Sequence, residues 1–207
     1  MIADRVEEAT ILFADLVGFS AIAARLPPAR LVPPLNGIFS EFDALCRRWQ
    51  IEKIKTIGDA YMAAAGLPQP RADHAQVIVE FALAMLAALE AGNAASEVPF
   101  EIRIGIHTGP VIAGVIGSHR FLYDVWGETV NLASRLESHG APGRIHVSER
   151  TRQLLQRDYG FESRGLIDLK GIGTMSTSFL TGRKTPAVEA PLEPRSGVAQ
   201  GRSGSDL

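Results

Sequence analysis

The stretch Phe121-Leu-Tyr-Asp-Val-Trp-Gly-Glu-Thr-Val-Asn-Leu-Ala-Ser-Arg-Leu-Glu-Ser138 changes its periodicity part-way along. A strand-like aromatic run ends at Gly127, and from there Val130, Leu132, Ala133 and Leu136 recur at helical spacing. Asn131 and Arg135 therefore fall one turn apart on a single helix face, within reach of one ligand. A neutral amide and an always-charged planar guanidinium, aimed the same way from a rigid helix, suit an anion whose charge grows during reaction, such as a phosphoryl group. Taken alone, the pair reads more readily as the solvated face of a surface helix. The surrounding chain reverses that balance.

Asp124-Val-Trp-Gly-Glu-Thr-Val-Asn-Leu-Ala-Ser-Arg-Leu-Glu137 closely resembles the signature segment of class III nucleotidyl cyclases, which convert a nucleoside triphosphate into a cyclic monophosphate and pyrophosphate. Ile11-Leu-Phe-Ala-Asp-Leu-Val-Gly-Phe-Ser20, Lys53-Ile-Lys-Thr-Ile-Gly-Asp-Ala-Tyr-Met62 and Arg103-Ile-Gly-Ile-His-Thr-Gly-Pro-Val111 resemble the same family in the same order, so the resemblance runs roughly from Ala9 to Arg183. It implies an α+β fold with a ferredoxin-like βαββαβ core and additional strands and helices.

At 207 residues and 46% hydrophobic content the chain suits one well-buried soluble domain, expected over 1–184. A formal net charge of −2 supplies neither a basic stripe for nucleic acid nor a cationic face for a membrane, and favours a small charged ligand as partner. Cys46 is the one cysteine, so no intrachain disulfide forms; within an amphipathic segment it reads as core filler in a reducing compartment. The N-terminus lacks the apolar core of a signal peptide, and the longest apolar run, Val77 to Leu89, is broken by Glu80. The expected location is the cytoplasm. In the resembled family the catalytic domain commonly ends a longer chain, so the segment also fits the cytosolic part of a membrane-anchored protein. Past Lys184 the chain turns to Pro, Gly, Ser, Arg and acidic residues, the composition of a disordered tail over 185–207.

In chain order, Thr10 to Ala14 reads as a short buried strand delivering Asp15 to a glycine-containing loop, Leu16-Val-Gly-Phe-Ser20, that opens a helix. A second helix is expected to begin at Pro33 or Pro34, because proline belongs in a first turn. Gln50 to Thr56 and Asp59 to Ala65 read as two strands joined at Ile57-Gly58, a turn that presents Asp59. Arg71 to Leu89 reads as a packing helix. Phe100 to Ile106 and Val111 to Ile116 read as two strands separated by a turn at Gly109-Pro110. His107 reads as structural. A strand over Arg144–Val147, a helix from Ser148 to Arg157 and strands near Phe161–Leu169 and Met175–Leu180 follow.

Two carboxylates brought to strand ends from distant parts of the chain are what Mg²⁺ or Mn²⁺ asks for, although a Gly-Asp turn is commonplace by itself. The resemblance implies two divalent cations per site held by Asp15, Leu16 and Asp59. It places substrate contacts at Gly18 and Phe19 in the loop, Arg103 and Lys170 on the triphosphate, and Lys55 with Asp124 on the purine edge. Lys and Asp match adenine, whose amino group donates while a ring nitrogen accepts; guanine reverses part of that pattern. Related guanylate cyclases usually carry Glu and Cys there. Ile172 stands where many relatives have a second lysine beyond Lys170. The implied activity is adenylate cyclase, with ATP as substrate, Asn131 orienting the ribose and Arg135 stabilising the α-phosphoryl charge. Since the chain carries both halves of a family site that forms between two domains, the implied assembly is a head-to-tail homodimer. A guanylate cyclase and a catalytically silent nucleotide-binding or dimerising module remain the alternatives, while the Gly-Gly-(Asp/Glu)-Glu-Phe signature of diguanylate cyclases is absent.

Overall fold

The structure is a computed structural model that describes residues 2–94, 96–117 and 121–184. At its centre β1 (Ile2–Leu16) is flanked by β3 (Ala60–Ala65) and β4 (Ile102–Ile116), both antiparallel to it. β2 (Glu52–Ile57) pairs outside β3, so the first four strands run in the order β2-β3-β1-β4. With α2 (Pro28–Trp49) between β1 and β2 and α3 (His74–Asn93) between β3 and β4, this is the expected ferredoxin-like βαββαβ core. A five-residue helix, α1 (Phe19–Ala23), fills the loop after β1. β5 (Leu122–Trp126) adds to β4 as a hairpin. After α4 (Glu128–Ser138), β6 (Ile145–Ser148) joins β4 in parallel, and α5 (Glu149–Leu155) leads to the antiparallel pair β7 (Tyr159–Leu169) and β8 (Gly173–Arg183).

Strand alternation divides the core in two. Leu12, Ala14, Tyr61, Ile104 and Ile106 pack with Phe42, Ile78, Phe81 and Met85 of α2 and α3. Ile11, Phe13, Met62, Val111 and Ala113 pack on the other face with Ala133 of α4. The Ala9–Ala14 part of β1 is thus nearly all apolar without alternation because both its faces are covered. α3 is long and apolar enough to cross a membrane, yet it is the main core helix, with Ile78, Val79, Phe81, Ala82 and Met85 all at 0% exposure. Cys46 is buried, its Sγ 3.3 Å from the Tyr61 hydroxyl, as core filler should be.

Three sequence expectations need correction. β1 begins at Ile2, well before Thr10, because its first residues pair with Val111–Val115 of β4. α2 starts at Pro28 and carries Pro33 and Pro34 inside it. The two missing N–H groups would have bonded the carbonyls of Ala29 and Arg30, which lie on exposed residues where water can take those bonds. Gly109-Pro110 does not turn the chain: β4 runs straight through it. Pro110 cannot donate to the ladder, and opposite it β1 bulges at Glu7 and Glu8, shifting the register between Val6 and Ala9. The expected tail, 185–207, lies outside the described residues.

His146, at 0% exposure, sets a pH limit on this fold. Its Nδ1–H donates to the Leu136 carbonyl at 2.7 Å and its Nε2 accepts from the Thr177 hydroxyl at 2.8 Å, so the ring is held neutral. Burial pushes its pKa down to about 4. An unfolded histidine, titrating near pH ~6.5, takes up a proton that the folded chain refuses, so the stability conferred by neutral His146 is complete above that pH and is lost on acidification toward the folded value. Acidifying from pH ~7 to ~5 is expected to cost about 2 kcal/mol at this site, a fall of roughly 5 °C in melting temperature. Melting curves at both pH values check this; the fall should shrink in His146→Gln.

Candidate active site

Asp15, the penultimate residue of β1, lies opposite Arg103 in the β1–β4 register and next to Ala60 in the β1–β3 register, so Asp59, in the β2–β3 turn, lies at the same end of the sheet. Gly58 enters that turn at φ 63°, a conformation glycine adopts without strain. Burial, reinforced by the Asp15 charge, raises the Asp59 carboxyl above its usual range. A carboxylate whose ionisation is made costly by burial and by a neighbouring carboxylate forms a site that a divalent cation relieves. Leu16 has no side-chain donor, so its backbone carbonyl is the one group through which it could coordinate a metal. Among the described residues no cluster of three or more His, Cys, Asp or Glu side chains forms a cage, so substrate oxygens and water must complete the coordination. The donor set fits Mg²⁺ or Mn²⁺ bound together with a phosphate-bearing substrate.

Arg103 bridges this cluster to α4. Its Nη2 donates to Asp15 at 2.9 Å and its Nε to Glu137 at 3.1 Å. Glu137 is 8% exposed, and burial followed by the Asp15 charge raises its pKa to about 7 despite Arg103. The sequence reading missed Glu137. Its signal was there: it lies four residues after Ala133, on the inward face of the helix whose outward face carries Asn131 and Arg135. α4 reaches the sheet this closely at Gly105, where a Cβ would sit 2.1 Å from the Glu137 nitrogen and 2.4 Å from the Ala133 oxygen.

In the α1 loop Gly18 takes φ 68° with open space on its Cβ side, and the first N–H groups of the following turn have no partner within the helix. Phe19 packs its ring against the main core, so its backbone, not its side chain, faces any ligand there.

Lys55 and Asp124, 69 residues apart, meet across β2 and β5: Nζ donates to Oδ2 at 2.6 Å, while Asp124 Oδ1 accepts from the Val125 N–H at 2.8 Å. A further group forms beside the outward face of α4. Asn131, Arg135 and Lys170 line one cleft of about 730 Å³ together with Trp126, Ile112, Ile172 and Arg5. His107 also lines it, but its Nδ1 lies 2.7 Å from Ser148 Oγ and burial lowers its pKa to about 4. That supports the structural reading of this ring. The carboxylates Asp15 and Asp59 do not line this cleft, and neither does the Lys55–Asp124 pair. One chain therefore presents the expected residues as separate groups.

The family model for the adenylate and guanylate cyclase catalytic domain matches residues 1–182. This chain belongs to that family. An adenylate cyclase of Mycobacterium bovis is 46% identical to this cyclase domain over 193 residues, which are 90% of this chain and 42% of the relative. The chain thus spans about two fifths of that relative's length. The soluble guanylate cyclase subunit beta-2 of Rattus norvegicus is also 46% identical, over 177 residues covering 84% of the chain and 26% of the subunit. Among solved structures, the guanylate cyclase domain of RhGC from Catenaria anguillulae in complex with GTP superposes on the cyclase domain with a TM-score of 0.82 at 36% identity, covering 87% of this chain and 100% of that one. Relatives naming both purines match comparably, so the choice of nucleotide rests on the site.

Proposed function

We propose that this domain is an adenylate cyclase that forms 3′,5′-cyclic AMP and pyrophosphate from ATP at sites shared by a head-to-tail homodimer. The observation that carries the choice of ATP is the Lys55–Asp124 pair, 2.6 Å apart across β2 and β5, which are not hydrogen-bonded to each other. Asp124 can accept from the adenine amino group while Lys55 donates to a ring nitrogen, and guanine mismatches that pair of partners. A homodimer is supported by the separation of the metal carboxylates from the Asn131–Arg135 cleft, and by apolar side chains left open around both. Ile57, Ile112, Ile116 and Leu122 are each at least 43% exposed on β2, β4 and β5.

In this mechanism Asp15, the Leu16 carbonyl and Asp59 of one protomer would hold two divalent cations. When bound, these cations acidify the ribose 3′-hydroxyl and neutralise phosphate charge. Asn131 of the other protomer hydrogen-bonds the ribose and fixes the hydroxyl in line with the α-phosphorus. Arg135 donates to the α-phosphoryl oxygens as their charge develops, and Lys170 holds the terminal phosphates. Arg103 leaves Asp15 for the triphosphate and remains anchored through Glu137. Domain limits of 1–184 and a cytosolic location, where ATP is available and the lone thiol stays reduced, complete the reading.

The test compares ATP and GTP turnover by the wild-type chain and by a Lys55→Glu, Asp124→Cys double variant. Cyclic AMP from the wild type, with preference for ATP over GTP falling roughly 100-fold in the variant, is the expected result. An unchanged preference contradicts the purine assignment.

A further inference from the structure

One cation of the α4 cleft belongs to no recognised motif. We infer that Arg5 is a further polyphosphate-binding residue, taking a phosphate oxygen of the nucleotide beside Lys170; this rests on the nucleotide-binding reading above.

Strand register puts it there. β1 pairs Arg5 with Ile112, and β4 pairs Ile112 with Trp126, so three adjacent strands present these side chains in one row along the cleft. The β1 bulge is what selects this row. Continued without a shift from the Ala9–Gly109 pair, the ladder would bring Arg5 opposite Ala113, whose side chain is buried in the core under α4. With the bulge, Arg5 pairs with half-exposed Ile112 at the open side of the cleft.

Charge and mobility agree with placement. Arg5, Arg135 and Lys170 line the cleft against the single carboxylate of Glu128, a balance that favours a polyanion. Arg5 is held by Glu7 at 2.8 Å, with the two side chains 70% and 72% exposed. An exposed pair this close in sequence contributes little, so the guanidinium is free to exchange a carboxylate for a phosphate, which it can grip through two parallel N–H bonds. Ile172 lines the same cleft beside Lys170 and adds no charge, leaving room for the contribution of Arg5.

Calorimetric titration with inorganic triphosphate and with ATP, alongside steady-state kinetics, tests this. Arg5→Ala is expected to weaken triphosphate binding and raise KM for ATP roughly 10-fold, with kcat within about twofold of wild type. Arg5→Lys should keep part of the affinity, and Ile172→Lys should restore it in the Arg5→Ala background. Glu7→Gln, which frees Arg5, should bind triphosphate at least as well as wild type. If Glu7→Gln reproduces the loss, Arg5 acts only by bracing its strand and the inference falls. It falls equally if Arg5→Ala binds triphosphate like wild type. A wild-type chain that binds triphosphate through Arg5 but forms no cyclic nucleotide would overturn the cyclase reading while upholding this one.

Discussion

Arg135→Ala is expected to reduce cyclic-nucleotide formation by about 100-fold or more, with a much smaller effect on ATP binding. Arg135 is exposed on α4 and lines the cleft one turn from Asn131. Its loss therefore removes no core contact, and the folded state should survive the change. What disappears is a planar donor aimed at charge that builds up only as the 3′-oxygen attacks. Lysine at this position retains the charge but not the fork, so Arg135→Lys should recover only part of the rate. Turnover and KM for ATP, measured on variants with unchanged melting temperature, check this. An Arg135→Ala enzyme with wild-type turnover would remove Arg135 from the chemistry.

Gly105→Ala should be the most destabilising single methyl group in the domain. The added carbon would meet three backbone atoms of α4 between 2.1 and 2.7 Å away, and none of them can rotate aside. The helix must lift from β4, at an expected cost of about 3 kcal/mol or more and a fall of roughly 10 °C in melting temperature. The same displacement would part Glu137 from Arg103, so activity should fall in the fraction that remains folded. Gly37→Ala on α2 is the matched control: its Cβ would meet nothing within 4 Å, and in a helix interior alanine is favoured by about 0.5–1 kcal/mol. Thermal melts of the two variants should therefore move in opposite directions.

Much of this was legible from residue patterns because the site lies where patterns change. Asp15 ends an apolar run, Asp59 follows a turn glycine, and Asn131 and Arg135 occupy the polar stripe of an amphipathic helix. Each is fixed by local periodicity, which a single segment reveals. What periodicity cannot show is which segments meet. The bulge opposite Pro110 depends on a partner strand about 100 residues away, so a Gly-Pro pair that normally breaks a strand sits inside one. Arg5 owes its place to that same bulge. Glu137 drew no reading of its own from the sequence, and only the contact at Gly105 explains why it is buried beneath Arg103. The prolines of α2 misled for the opposite reason: the rule that expels them assumes a buried carbonyl with no other partner, and here the carbonyls are on exposed residues.

The central claim is that a working site needs Asp15 from one chain and Arg135 from another. Mixing Asp15→Asn protein with Arg135→Ala protein, each inactive alone, tests it directly. In a mixed dimer one site collects both defects and the other collects neither. An equal mixture is therefore expected to recover about a quarter of wild-type activity, rising with total protein concentration until dimers are saturated. Two folded, dimerising variants that stay inactive at every mixing ratio would show that each chain builds its site alone.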